Sequence, residues 1–153
     1  MKVEFLSSFS LDEFKLISND IYLNLHHIKR QYRGFDYWFE KVLKEIDGIK
    51  REIIFIRDQE NIKGFIILKN TIEEKKICGI YVKEEFRNNG VGSLLIEEGL
   101  KFLKEEKPII TIPLYNLDSF KVFIEKYNWV QTSISYDYNS PEAIFNEKRK
   151  ELL

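Results

Sequence analysis

The stretch ICGIYVKEEFRNNGVGSLLIEEGLKFL, residues 77–103, decides the fold. Its first six residues, 77–82, are apolar and partly β-branched, which predicts a strand. A short charged link follows, and from Gly92 onward leucines and isoleucines recur at the spacing of an amphipathic helix. The sequence therefore predicts a strand, a loop and a helix in direct succession.

The loop between this strand and this helix contains Arg87-Asn88-Asn89-Gly90-Val91-Gly92. The first amides of a helix have no partner within the helix, and the aligned peptide dipoles leave partial positive charge there. An anion is stabilised at such an end, and glycines let a phosphate approach the backbone closely because they lack Cβ. The loop is a candidate phosphate site, the alternative being an ordinary turn that uses glycine for its backbone freedom.

Two other phosphate-binding loops are excluded by their patterns. The chain has no G-x-x-x-x-G-K-[ST], and Leu95 stands where the third glycine of G-x-G-x-x-G would be. The remaining pattern is R-x-x-G-x-G, preceded by Tyr81-Val82 and followed by Leu94-Leu95. In this context the stretch resembles the pyrophosphate-binding motif of the GNAT N-acetyltransferase superfamily.

Composition restricts the class of protein. The chain has 153 residues, 44% hydrophobic and 32% charged, which predicts one globular domain over residues 1–153. No apolar run could span a bilayer and no secretory signal is visible, so we expect a cytoplasmic protein with no membrane partner. A net charge of −1 argues against nucleic acid, and a single cysteine, Cys78, excludes an internal disulfide.

Periodicity and turn residues predict the other elements. The predicted order is β-α-α-β-β-β-α-β-α-β, a mixed sheet with helices on both faces, as in the GNAT fold. A Ser10/Glu13 capping box opens the first helix, and Pro141 starts a C-terminal turn or short helix containing Phe145. The predicted segments are strand 2–6, helix to Tyr22, helix 35–46, strands 51–57, 62–69 and 77–82, helix 92–103, a strand from Pro108, helix 117–128 and strand 129–138.

The resemblance implies acetyl-CoA as co-substrate, and it implies no metal. In the family the pantetheine arm runs between the strand before the loop and the next strand, which splay apart. The cofactor contacts carried over are Tyr81, Val82, Arg87, Asn88, Asn89, Gly90, Val91, Gly92, Ser93 and Asn116.

The reaction implied is attack of a neutral amine on the thioester. The family often uses a tyrosine on the helix after Asn116 to protonate the leaving thiolate. Here Phe123 or Ile124 occupies that position, and neither donates a proton. The sequence leaves Tyr127, Tyr115 and Tyr136 as candidate acids. The base is open: Lys76 stands about where some relatives of the family carry glutamate, and Glu73 and Glu74 are either candidate bases or a solvated turn.

Histidine, cysteine and tyrosine residues outside the loop are further candidates for a functional role. Adjacent side chains such as His26 and His27 point in different directions, so they form a poor chelating pair, although either could be a base. Cys78 is expected to pack as a small apolar residue. Tyr32 and Tyr37 lie where the family's first helices form the wall of the acceptor site.

Three functions remain open at this point. The leading hypothesis is an N-acetyltransferase that acts on a primary amine of a small molecule or a protein. The alternatives are a GNAT-like protein that binds acyl-CoA without turnover, and a nucleotide-binding protein. The acceptor is not encoded in any recognisable motif, and a homodimer is compatible with the resemblance.

Overall fold

The computed structural model describes residues 2–25, 32–137 and 140–148. Its centre is a seven-stranded sheet in the order β1-β2-β3-β4-β5-β7-β6. Only the β4–β5 pair is parallel; the other neighbours are antiparallel. The strands are β1 (Lys2–Phe5), β2 (Arg51–Asp58), β3 (Asn61–Asn70), β4 (Lys75–Val82), β5 (Ile109–Pro113), β6 (Gln131–Ser135) and β7 (Glu142–Phe145).

Four α-helices in the described ranges cover the two faces of the sheet. They are α1 (Leu11–Asn24), α2 (Phe35–Glu45), α3 (Val91–Leu103) and α4 (Leu117–Tyr127). Short 3-10 turns precede α1, α3 and α4 at Leu6–Ser8, Glu84–Phe86 and Leu114–Asn116. The predicted mixed sheet with helices on both faces is confirmed, and so is the predicted order of the first ten elements.

Each face of the sheet carries its own core. Helices α3 and α4 pack on one face, where Ile54, Ile66 and Leu95 are buried. Helices α1 and α2 pack on the other, where Ile21, Phe55 and Phe65 are buried. Because β2 and β3 are covered on both faces, their side chains are apolar in unbroken runs rather than in alternation.

The C-terminal segment differs from its prediction. Residues Glu142–Phe145 form β7, which pairs with both β5 and β6, instead of a turn or short helix. A run of four residues shows no measurable period, and pairing with two distant strands overrides local preference. The preceding strand is also shorter than predicted, because Trp129 is buried against the α3 and α4 core and β6 starts at Gln131.

The first helix begins where predicted but is capped differently. Ser10 is the N-cap residue, yet its side chain makes no hydrogen bond to the helix backbone; its hydroxyl lies 3.4 Å from a Glu13 carboxylate oxygen. On this helix Ile17 and Ile21 are buried, whereas Leu11 is largely exposed.

Candidate active site

The loop between β4 and α3 has the backbone that a cradle for an anion requires. After the 3-10 turn, Asn88 has φ 66° and Gly90 has φ 81°, both in the left-handed region. Asparagine and glycine are the residues that adopt this region at least cost. The loop turns sharply into α3 as a result, and Gly90 becomes the N-cap residue.

The start of α3 leaves backbone donors open. The first helical hydrogen bond runs from the Leu94 amide to the Gly90 carbonyl, over 3.0 Å. The amides of Val91, Gly92 and Ser93 precede it, so they have no acceptor within the helix. No side chain caps this end, and the partial positive charge of the helix end lies at these amides. An anionic group such as a diphosphate would satisfy them.

Gly92 and Arg87 connect the loop to the end of β4. A Cβ at Gly92 would lie 3.8 Å from Cγ2 of Val82, an ordinary contact distance. The Arg87 guanidinium donates from Nε to the Val82 carbonyl over 3.1 Å. The helix start, the loop and the strand end therefore form one unit, and Arg87, Asn88, Asn89 and Gly90 are exposed on it.

Strands β4 and β5 separate just below this unit. They are in register only at Lys76 with Ile109 and Ile77 with Ile110. Among the described strands, β3 alone pairs with the rest of β4, 78–82. No described strand forms a ladder with the β5-facing edge of β4 beyond Ile77, so an elongated amide-bearing ligand could bind along it. We call this opening the β4–β5 gap.

Tyr115 and Asn116 lie at the opposite side of the gap. Both belong to the 3-10 turn that follows β5, and Asn116 is the N-cap residue of α4. Tyr115 is 65% exposed. The position of this turn, directly after the strand that borders the gap, places both residues at the same end of the sheet as the Val82 loop.

Tyr127 is not brought to this end. It closes α4, an eleven-residue helix, so it lies roughly 15 Å from Leu117 along the axis. Its ring stacks on Trp129 at 5.9 Å, and Trp129 in turn donates from Nε1 to the Glu106 carbonyl, ahead of β5. Tyr127 therefore lies beside the beginning of β5, whereas the gap opens at its end.

A cavity of about 610 Å³ adjoins the end of β4 on the face covered by α1 and α2. Tyr81 contributes its ring from β4 and also packs against Phe65 at 5.7 Å. Asn24, Lys83, Glu84 and Glu85 also line it among the described residues. The described lining thus includes the carboxylates of Glu84 and Glu85 and the ammonium of Lys83.

A buried carboxylate on the same face was missed by the sequence analysis. Glu142 is only 4% exposed, and its Oε2 accepts a hydrogen bond of 2.8 Å from the Tyr32 hydroxyl. Residue Glu142 is in register with Pro113 at the end of β5. Its neighbour Ala143 packs in the α3 and α4 core, so Glu142 points to the α1 and α2 face. A glutamate following proline near the C-terminus carries no signal that distinguishes it from a solvated charge.

The other candidates take varied positions. Tyr37 is 77% exposed on α2, away from the buried Tyr32 contact. Cys78 is half-buried against the α1 and α2 core, where burial raises the pKa of its thiol and the Arg51 guanidinium only partly opposes this. The thiol is therefore protonated and a poor nucleophile. His26 and His27 lie outside the described residues.

Neither a metal site nor a membrane-spanning helix is found in the described ranges. No group of three or more His, Cys, Asp or Glu side chains there is arranged to hold a metal ion. No helix among them combines the length and apolar character needed to cross a bilayer.

Known proteins resemble this chain in a family sequence pattern. A family model described as "Acetyltransferase (GNAT) family" matches residues 12–127. A comparison with curated protein sequences gives no significant match.

Solved structures of low sequence identity share the fold. A GNAT acetyltransferase from Bacillus cereus is 19% identical with a TM-score of 0.64, covering 99% of this chain and 100% of its own. The Escherichia coli ribosomal-protein-S18-alanine N-acetyltransferase is 14% identical with a TM-score of 0.61, covering 99% of both chains. A Bacillus anthracis protein named as a streptothricin acetyltransferase, solved with acetyl coenzyme A, is 22% identical with a TM-score of 0.53; the match covers 63% of this chain and 61% of that one.

Proposed function

Since the chain belongs to the GNAT family of acetyltransferases, we propose that it transfers the acetyl group of acetyl-CoA to a primary amine within a ternary complex. The observation that carries this proposal is the coincidence of open amides at the start of α3 with the β4–β5 gap. The first feature suits a diphosphate and the second suits the pantetheine arm that follows it in coenzyme A.

The cofactor would bind along the loop and the gap. The amides and side chains of 87–93 would hold the diphosphate, and the edge of β4 that faces β5, at Tyr81 and Val82, would bind the arm. Asn116, at the far side of the gap, would contact the arm from α4. The thioester would then lie at the end of β4, where a strand amide can donate to the oxyanion that forms on attack.

The chemical step requires few groups. The nitrogen of the neutral amine attacks the thioester carbonyl, the new C–N bond forms, the C–S bond breaks, the nitrogen releases one proton to water and coenzyme A leaves as thiolate. A coenzyme A thiol resembles cysteine, with a pKa of about 8.5, so its departure needs little assistance. Among the candidate tyrosine acids, Tyr115 has better support than Tyr127, because Tyr115 borders the gap, whereas Tyr127 lies at the other end of β5.

The acceptor is proposed to be a cation in solution. An alkylamine has a pKa of about 10.4 and is protonated at neutral pH. The carboxylates of Glu84 and Glu85 beside the cavity at Tyr81 would attract such a group, and Tyr32 contributes to the same face of the sheet. A small-molecule amine and a protein amine both satisfy this description.

A panel of amines tests the proposal. Spermidine, lysine, streptothricin and a peptide beginning with alanine would each be incubated with the protein and acetyl-CoA. Release of coenzyme A thiol, with a mass increase of one acetyl group on an amine, is the expected result. A protein that acetylates no amine would contradict the proposal.

One observation favours a second function. Helix α4 presents Phe123 and Ile124 where the family's tyrosine is expected. A protein that binds acetyl-CoA without turnover is therefore the alternative. It would be stabilised against unfolding by acetyl-CoA yet release no thiol with any amine of the panel.

A further inference from the structure

Three buried carboxylates in the described ranges have different partners. Glu4 is paired with the Arg57 guanidinium, whose Nη2 lies 3.2 Å from Oε1. Glu52 accepts hydrogen bonds from the Ser7 amide, the Ser7 hydroxyl and the Ile53 amide. Glu142, 4% exposed, accepts from a single neutral donor among the described side chains, the Tyr32 hydroxyl.

This difference calls for an explanation. Removing a carboxylate from water is costly unless an opposite charge or several hydrogen bonds replace the lost hydration. Glu4 has the charge and Glu52 has the hydrogen bonds. Among the described residues Glu142 has neither in full, so its carboxylate retains capacity for a cationic or hydrogen-bonding ligand. If the Tyr32 hydrogen bond only held this segment against β7, a neutral acceptor in place of the Glu142 carboxylate would suffice.

The position of Glu142 relates it to the β4–β5 gap. It is in register with Pro113, the last residue of β5. Counting onward from the Ile77 and Ile110 pair, Pro113 is level with Ile80 and Tyr81 at the end of β4. Strand β7 is the next strand beyond β5, at the usual spacing of about 4.8 Å. The carboxylate therefore faces the α1 and α2 side one strand away from the gap.

We propose that Glu142 is the general base of the acetyl transfer, with Tyr32 as the residue that positions it; this inference rests on the function proposed above. The carboxylate binds the acceptor's ammonium, takes one proton and leaves the nitrogen lone pair to attack the thioester. The second proton displaced from nitrogen after attack goes to water or to the departing coenzyme A thiolate, so charge and atoms balance.

The substitution Glu142→Gln separates this role from a structural one. Glutamine has the same shape, and its carbonyl oxygen can still accept the Tyr32 hydrogen bond. What it loses is the charge and the ability to take a proton. Glu52→Gln is the matched control, a buried glutamate at the beginning of β2.

Two probe amines of nearly equal shape give the readout. Ethylamine is protonated at neutral pH, whereas methoxyamine is neutral because its oxygen withdraws electron density. Methoxyamine therefore needs no base before attack. General bases contribute about 10²–10⁴-fold to rate, so Glu142→Gln should lower kcat/KM for ethylamine by at least about 100-fold. The rate with methoxyamine and the affinity for acetyl-CoA should remain close to wild type, and Glu52→Gln should alter neither rate.

The outcomes are distinguishable. An unchanged ethylamine rate in Glu142→Gln, or an equal loss with both amines, would overturn the assignment of Glu142 alone. A wild-type protein that transfers acetyl to neither probe nor any panel amine would overturn the proposed function and this inference with it. Should Glu142→Gln fail to fold, Tyr32→Phe serves instead; the inference then requires a loss with ethylamine that exceeds the loss with methoxyamine.

Discussion

Gly90 and Gly92 differ in what a side chain would meet at each position. Gly90 has φ 81°, so any other residue there is strained even though no atom lies within 4 Å of a Cβ. Gly92 lies inside α3 with ordinary helical geometry, and its Cβ would make only a normal contact with Val82. Gly92 is therefore the better position at which to obstruct the open amides without distorting the loop.

The substitution Gly92→Leu should weaken acetyl-CoA binding. A leucine side chain beside the Val91–Ser93 amides would obstruct an incoming diphosphate, and one lost charge-assisted hydrogen bond costs about 1.5–3 kcal/mol. We expect Kd for acetyl-CoA to rise by about tenfold or more, measured by titration calorimetry.

Asp12→Leu is the control, because Asp12 occupies the equivalent second position of α1. It should leave the affinity unchanged. A Gly92→Leu protein that keeps both its unfolding temperature and its wild-type affinity would contradict the loop assignment.

Sequence reasoning reached the loop residues but not Glu142. The glycines of R-x-x-G-x-G and the strand before them form a pattern that is visible in the local sequence. The significance of Glu142 depends on a partner 110 positions away, Tyr32, and on burial by elements that are distant in sequence. Neither is visible before the chain is folded, since a single glutamate near a terminus is usually solvated.

At the scale of elements, Gly64 joins three parts of the site. It lies on β3 opposite Val82. A Cβ there would come within 2.8 Å of the Tyr81 carbonyl oxygen, and within 3.2 Å of Cγ1 of Val91, the first residue of α3. The close approach of β3, β4 and α3 therefore requires glycine at this position.

Gly64→Ala should destabilise the fold and disturb the site together. The methyl group would push against backbone of β4, and overpacking of this kind costs about 1–3 kcal/mol. We expect that loss in chemical denaturation, together with weaker binding of acetyl-CoA because the end of β4 shifts.

Gly79→Ala is the matched control for stability, since Gly79 lies on the adjacent strand and its Cβ would meet Ile67 at an ordinary 3.8 Å. Equal stability of the two alanine variants would show that the space between Gly64 and the Tyr81 carbonyl accommodates a methyl group, which would contradict the prediction.

Element prediction succeeded where periodicity is strong and failed where it is absent. Helix α3 has apolar residues on one side over its whole length, and α2 likewise, so both were predicted to within one residue. Strand β7 has four residues and exists because β5 and β6 lie on either side of it. Its pairing is a tertiary event, which a local pattern cannot report.

In the molecule as a whole, the sheet has a core on each face and consists of two groups of strands. Strands β1 to β4 form one antiparallel group and β5, β7 and β6 another. Among the described strands, the two groups are joined by backbone pairing only at the short parallel pair of β4 with β5. The gap is therefore a property of the topology, whereas the open amides belong to one loop, and the proposed site exists where the two coincide.

Binding of acetyl-CoA at this junction is best tested by thermal unfolding of the protein over a range of acetyl-CoA concentrations. A ligand at about 100 times its Kd stabilises the native state by about 2.7 kcal/mol, which for a chain of this size raises Tm by about 5–10 °C. We predict a rise of that order with acetyl-CoA and none with ATP at the same concentrations. A Tm that stays constant with acetyl-CoA, or that rises with ATP alone, would contradict the claim.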